Sequence, residues 1–528
     1  MKSRLSYFLI LGIIILSVMA GGYIWPNKHL NKIPHFNEKS FTPPNSSRYI
    51  PKNADLIFHW KVNPNILPNY IENFQDKVNQ NIIKKKISFI IDSSFKLISL
   101  DFAEDISKWA GDYGSFAVFD TNKQLLNDWI MVLGINNDIN IEEELESIKD
   151  QNIIEENINS NHNLSKSKLK IISKEITSNK SIYFAKEKNN ILIASNPKVI
   201  KSSIDQLDRN ILTKKEKYKN IQLKETISDG ILLLEISPSK LFNKIGQEEN
   251  ILELNQSNKL ITAINIDKNK LNIEGIISYE NKTEMPIKHI NYNFNDMKKE
   301  SELFDDYILI DNPKQYFSES TNHPYKKFIA SIITKSTTSD YSKLLKIILE
   351  NSKGNLIWIN DKDWLILTRK SDTSKKDITN ILKQDKFFNS NLEFKNNNLE
   401  VWSKISTNEK EKYEIKETIE AIIKEDEGNY IWTQDLSSIS NFDNSKDFPK
   451  YLNSEDSINE LNDFYDILKI HLGTEKTETI LNNFYPYILF KTMMGNQLTP
   501  PKNIDISIAV PTINYPDFIK FKINLKTS

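Results

Sequence analysis

Hydrophobic and polar positions follow two rhythms along this chain, after an opening stretch that shows neither. Residues 5–25 read LSYFLILGIIILSVMAGGYIW, without a charge, between Lys2 and Arg4 on one side and Pro26 on the other. About 20 apolar residues make a helix long enough to cross a bilayer. Residues 26–48 contain Pro26, Pro34, Pro43, Pro44 and Asn45-Ser46-Ser47, with no sustained apolar period. Such a segment is an extended spacer, reaching at most about 75 Å.

From residue 49 the pattern is that of a folded body. Period-two apolar runs predict strands at 56–60, 115–119, 128–135, 169–176, 181–186, 190–194, 230–236, 260–266 and 271–279. Helical spacing predicts helices over about 65–97, at 102–109 on the face Phe102, Ile106 and Trp109, and over 141–154. A further helix starts at Asn196-Pro197, where Asn caps free amides and Pro fits the first turn; Ile200, Ile204 and Leu207 form its buried face.

After Pro286 the order of elements begins again. A strand at 307–310 before Asn312-Pro313 repeats 56–60 before Asn63-Pro64. Gly354 leads into 355–359 as Gly114 leads into 115–119, and Asp363-Trp364 repeats Asp128-Trp129. Helices are expected at 341–349, 377–384 and 409–424, the last from Ile415, Ile419, Ile422 and Ile423. Strands are expected at 392–394, 399–405, 429–433, 488–493, 504–510 and 518–525.

The expected fold class is therefore α+β: an N-terminal transmembrane helix followed by two similar units of mainly antiparallel sheet covered by helices. The expected organisation is a membrane anchor or signal peptide at 1–25, a Pro/Asn/Ser-rich spacer at 26–48, a first α+β unit at 49–285, a linker at 286–299 and a second unit at 300–528.

Composition narrows the function classes. Lys+Arg of 69 against Asp+Glu of 70 leaves a net charge of −1, without the basic excess that a nucleic-acid binder shows. The chain has no Cys, which excludes disulfides, thiol catalysis and thiolate metal sites. For residues 5–25 two readings stay open. Val18-Met19-Ala20 resembles a signal-peptidase site, whereas the length of the run and the interfacial Tyr23 and Trp25 favour a retained anchor. Lys2 and Arg4 favour a body outside the cytoplasm, although Lys28, Lys32 and Lys39 follow the far end.

Motifs with known mechanics are missing. There is no nucleophile elbow, phosphate loop, dinucleotide fingerprint, His-Glu-x-x-His or EF-hand loop. The histidines are His29, His35, His59, His162, His289, His323 and His471, none paired at metal-ligand spacing. His59 reads as an edge or partly buried strand residue, and His323 as a loop residue before Pro324. Asp138 with Glu142-Glu143-Glu144 reads as a solvated helix start, Asp305-Asp306 as a turn, and Lys84-Lys85-Lys86 as a solvated face. Trp109, Trp129, Trp358, Trp364, Trp402 and Trp432 fall in or beside predicted elements, where core packing accounts for them. No catalytic, cofactor-binding or metal-binding residue is assigned, and no cofactor.

Three segments carry a family resemblance. Tyr49-Ile50-Pro51-Lys52-Asn53-Ala54 runs into a strand and Asn63-Pro64; Glu104-Asp105-Ile106 precedes Trp109-Ala110-Gly111; and residues 190–197 read NILIASNP. These resemble an uncharacterised, largely cyanobacterial family, domain of unknown function 3352, over about 49–280 and more loosely beyond. The resemblance implies an anchored extracytoplasmic protein at a plasma or thylakoid membrane and carries no activity. The expected function is a non-enzymatic binding or scaffold protein with a single membrane span, its body on the periplasmic or thylakoid-lumen side, with a protein or envelope partner. The alternatives are an anchored hydrolase or other enzyme with a site between the two units, and a lipid or small-ligand carrier.

Overall fold

A computed structural model describes residues 43–61, 80–119, 128–136, 151–157, 168–209, 230–237, 259–279, 306–317, 324–336, 343–444 and 464–526, apart from short gaps within these ranges. Twenty strands are found among the described residues. In the first half they are β1 Leu56–Trp60, β2 Ala110–Phe119, β3 Asp128–Ile135, β4 Gln151–Asn157, β5 Lys168–Thr177, β6 Lys180–Glu187, β7 Asn190–Ala194, β8 Leu232–Ile236, β9 Lys259–Asp267 and β10 Lys270–Ser278. In the second half they are β11 Asp306–Ile310, β12 Leu356–Asn360, β13 Trp364–Arg369, β14 Phe388–Phe394, β15 Asn397–Asn408, β16 Glu414–Glu425, β17 Asn429–Thr433, β18 Phe464–Leu472, β19 Asn503–Pro511 and β20 Phe518–Lys526.

Every pairing is antiparallel, and together they make one continuous sheet. From the outer edge inward, the first half runs β4-β5-β6-β7-β3-β2-β1-β8-β9-β10. The second half runs β14-β15-β16-β17-β13-β12-β11-β18-β19-β20 in the same sense. Each strand of the first half has its counterpart ten strands later. The halves meet where β10 pairs with β20, from Lys270 opposite Lys526 to Ser278 opposite Phe518. At this seam Gly275 lies opposite Phe521, whose ring fills the space a Cβ would take.

The two faces of the sheet are covered differently. In the second half, Ile308, Trp358, Ile366, Trp432 and Ile423 pack under the helices Pro324–Ser336, Lys343–Asn351 and Asp372–Gln384 in the main core. On the opposite face of the first half, Ala117, Ile130, Val132, Leu192 and Ile171 pack beneath Tyr49, Ile50 and the helix Pro197–Arg209. That helix starts as expected: Asn196 Oδ1 accepts from the Val199 amide at 3.1 Å, and Ile200 and Ile204 are buried.

The expected fold class is corrected. Strands dominate, and the strands of both halves share one sheet instead of forming two separately covered ones. Among the described residues no helix is long and apolar enough to cross a membrane; residues 5–25 lie outside the described residues. The helix expected at 409–424 is instead β16. Its isoleucine spacing imitates a helix because the β15–β16 register shifts between Trp402 and Ser403, pairing Trp402 with Ala421 and Ser403 with Ile419. That bulge puts Ile415, Ile419 and Ile422 on one face of a strand, and β-branched side chains favour the strand.

Residues 151–154, expected as the end of an acidic helix, begin β4; residues 141–150 lie outside the described residues. Ile488, Lys491 and Thr492 are helical rather than in a strand, with Thr492 Oγ1 donating to the Ile488 carbonyl. The expected helical face at 102–109 is a short π-turn, Phe102–Ile106, with Phe102, Ile106 and Trp109 all buried.

Candidate functional site

Polar residues interrupt three apolar strands at the centre of the first half. β1 reads LIFHW, β2 contains Gly-Ser-Phe-Ala-Val, and β8 reads LLLEI. His59 lies opposite Ser115, and Ile57 opposite Glu235, so His59, Ser115 and Glu235 share one face. His59 Nδ1 lies 2.7 Å from Ser115 Oγ, and Ser115 Oγ lies 2.7 Å from Ser46 Oγ. On the other side of the ring, Nε2 is 3.9 Å from Glu235 Oε1, and Lys259 Nζ is 2.9 Å from Glu235 Oε2.

The order hydroxyl, imidazole, carboxylate is that of a nucleophile, its base and an orienting acid. Access decides against that use. Ser46 and Ser115 are 0% exposed and His59 is 2% exposed, beneath the 3-10 turn Asn45–Tyr49. A nucleophile must reach its substrate, and this one is sealed. The cluster is a buried polar clamp tying the incoming chain to the middle of the sheet. Low dielectric strengthens its bonds while they are satisfied and makes a broken one costly.

The same face continues across the seam as a belt of ion pairs. Glu274 and Lys520 bridge β10 and β20 at 2.6 Å. Asp505 holds His471 Nδ1 at 2.5 Å and Lys526 Nζ at 3.1 Å, and His471 stacks on Tyr307. Burial pushes the Asp505 carboxyl up, but hydrogen bonds from His471 and Lys526 outweigh it and hold it below the usual range. Among the described residues, no three His, Asp or Glu side chains converge to hold a metal ion.

A third feature lies at the outer end of the second half. β14, β15 and β16 are the last three strands of the sheet on this side, joined to the rest where β16 pairs with β17. Registers 388 with 403, 392 with 399, and 403 with 419 place Phe388, Leu392, Ile405, Ile415 and Ile419 on one face. The base of that face, Leu399, Val401 and Ile422, is covered by Ile439 of the helix Leu436–Asn444. Beyond the helix the face is open: Ile415 is 70% exposed, Phe388 54%, Ile405 45%, Ile419 43% and Leu392 37%.

The residues singled out by the sequence pattern fall as follows. His59 is fully buried in a central strand, correcting the edge reading. Asp306 opens strand β11, correcting the turn reading, and its carboxylate accepts from the Gly473 amide at 2.8 Å, with Lys476 at 3.7 Å. Lys85 is exposed and Lys86 half-buried on the helix Gln80–Leu97. Trp109, Trp129, Trp358, Trp402 and Trp432 are buried in the core, and Trp364 packs against it. His29, His35, Asp138, Glu142, Glu143, Glu144, His162, His289, Asp305 and His323 lie outside the described residues. Neither the clamp nor the open face is identifiable from sequence alone. A lone polar residue inside an apolar strand is the one signal that points to the first.

A family model described as "Protein of unknown function (DUF3352)" matches residues 9–527. The chain belongs to this family. The match bears out the resemblance seen in the three segments and extends it through the second half. No curated protein matches this DUF3352 chain. Among solved structures it is similar to crystal forms of TP0453. Form IV is 10% identical, covers 44% of this chain and 79% of that one, and has a TM-score of 0.25. Form III is 9% identical, covers 50% and 88%, and has a TM-score of 0.26. At these TM-scores the likeness carries no argument about this DUF3352 protein.

Proposed function

We propose that this protein is a binding or scaffold protein rather than an enzyme, tethered to a membrane through residues 5–25 with its body on the extracytoplasmic side. The observation that carries the binding role is the open apolar face of β14–β16. Five large apolar side chains stay in contact with water there, a cost that a partner surface would remove. The uncharged run at 5–25 and the basic residues before it support the tether and its orientation. The recurrence of one strand order on both sides of the β10–β20 seam supports reading 49–285 and 300–528 as two copies of one unit.

The test is crosslinked capture of the tagged full-length protein from native membranes, beside the double variant Ile415→Lys/Ile419→Lys. The expected result is a reproducible partner protein that the double variant loses while remaining folded. Equal recovery from both proteins, or none from either, contradicts the binding role. Retention of the wild type in the membrane pellet after alkaline carbonate extraction tests the tether separately.

A further inference from the structure

We propose that β14 is a docking edge for a second copy of this chain, which pairs with it antiparallel about Asn391. This goes beyond the binding reading above, because it concerns the edge of the sheet and not its apolar face. β14 stands last in the strand order, and among the described residues its only strand partner is β15. Six of its seven residues are exposed and Phe394 is half-buried. An edge left open is normally defended by lysine, proline or a bulge. The sequence FNSNLEF has no lysine or proline, carries one charge, and pairs with β15 without a register shift.

The strand is complementary to itself. With Asn391 on the dyad, Phe388 faces the Phe394 of the second copy, Ser390 faces Leu392, and Asn389 faces Glu393. The single carboxylate thus meets a carboxamide instead of its own twin, and the aromatic residues meet across the strands, both favourable cross-strand pairs. Asn389 already donates one amide hydrogen to Glu400 Oε1 at 2.6 Å; the other is left for the partner carboxylate. The chain contains a precedent for this geometry. At its seam, β10 and β20 occupy corresponding places in the two halves and pair antiparallel, edge to edge.

Absence of cysteine gives a direct test. Asn391→Cys is introduced into the full-length protein in mild detergent, with Lys502→Cys as an exposed control away from the edge. Directly opposed Cα atoms in an antiparallel pair are about 4.5–5.5 Å apart, within disulfide range. Under mild oxidation, Asn391→Cys is expected to give a covalent dimer about a hundredfold faster than the control, since pairing raises the effective thiol concentration to about the millimolar range. Sedimentation of the unmodified protein should show a dimer, and Asn391→Lys, which sets like charges on the dyad, should show a folded monomer with an unchanged circular-dichroism spectrum. Crosslinking no faster than the control, or an unmodified protein that sediments as a monomer at tens of micromolar, overturns the proposal. A monomer that still captures a different protein through Ile415 and Ile419 overturns self-pairing while leaving the binding reading intact.

Discussion

His59 and Ser115 face each other across β1 and β2, with 2.7 Å between Nδ1 and Oγ, in a position that solvent does not reach. At the corresponding register of the second half, Leu309 faces Ile357. One half has filled the site with a hydrogen-bonded pair and the other with two aliphatic side chains. Either solution satisfies a buried site; a mixture does not.

The first prediction follows from that contrast. Ser115→Ile alone strands the imidazole and should destabilise the protein by about 1–3 kcal/mol. Adding His59→Leu reproduces the pairing of the second half and should recover much of the loss. Thermal unfolding of the two single variants and the double variant checks this. Additive losses would show that the two residues do not act as a pair.

Gly114 supplies the second. It lies opposite Trp60, and a Cβ built there overlaps the indole ring. Gly114→Ala should cost about 1–3 kcal/mol through overpacking. Trp60→Val should reduce the penalty of that alanine, as read from the unfolding midpoints of the four proteins in the cycle.

Asp311 gives a pH-dependent prediction. It is fully buried just after β11, and desolvation pushes its carboxyl up to about 7, with Tyr465 offsetting part of the effect. Below about pH 4 the group is neutral in both folded and unfolded chains and contributes no difference. Between about pH 4 and 7 the unfolded chain releases the proton first, so stability falls as pH rises, then levels off. Asp311→Asn removes this dependence. The variant should be more stable than the wild type at pH 8, on the order of 1–4 kcal/mol, with the advantage shrinking toward pH 4. Unfolding curves across this range test it, and parallel curves for the two proteins would contradict it.

Asp505 behaves in the opposite sense. Its carboxyl is held below the usual range, so its contribution is present above the unfolded value and is lost as pH falls through the folded value. Asp505→Asn should weaken the protein at neutral pH and narrow its difference from the wild type below about pH 4. His471→Phe, which keeps an aromatic ring beside Tyr307, should remove part of the same acid sensitivity.

The individual strands are readable because each carries its own alternation, bounded by Gly, Asn or Pro. The strand expected at 190–194 stands as Asn190–Ala194, and the one expected at 271–279 stands one residue earlier, as Lys270–Ser278. The order of elements also reveals the recurrence, and Trp364 stands in β13 as Trp129 does in β3, whereas Gly354 precedes β12 and Gly114 lies within β2. The joining of both halves at β10–β20 is not legible, because strand pairing over such distances leaves no local pattern. The β15–β16 bulge defeats a reading by period, since it shifts the isoleucine phase in mid-strand. The clamp is hidden for a related reason: Ser46, His59, Ser115, Glu235 and Lys259 are brought together only by the sheet. The open face depends on where the helix Leu436–Asn444 stops covering the strands.

The most direct test of the binding role is site-specific photocrosslinking at Ile415 in the full-length protein within its native membrane. Lys404, exposed on the opposite face of β15, serves as the reference position. A discrete protein adduct is expected from position 415 and none from 404. No adduct at 415, or the same adducts from both positions, would contradict the binding role.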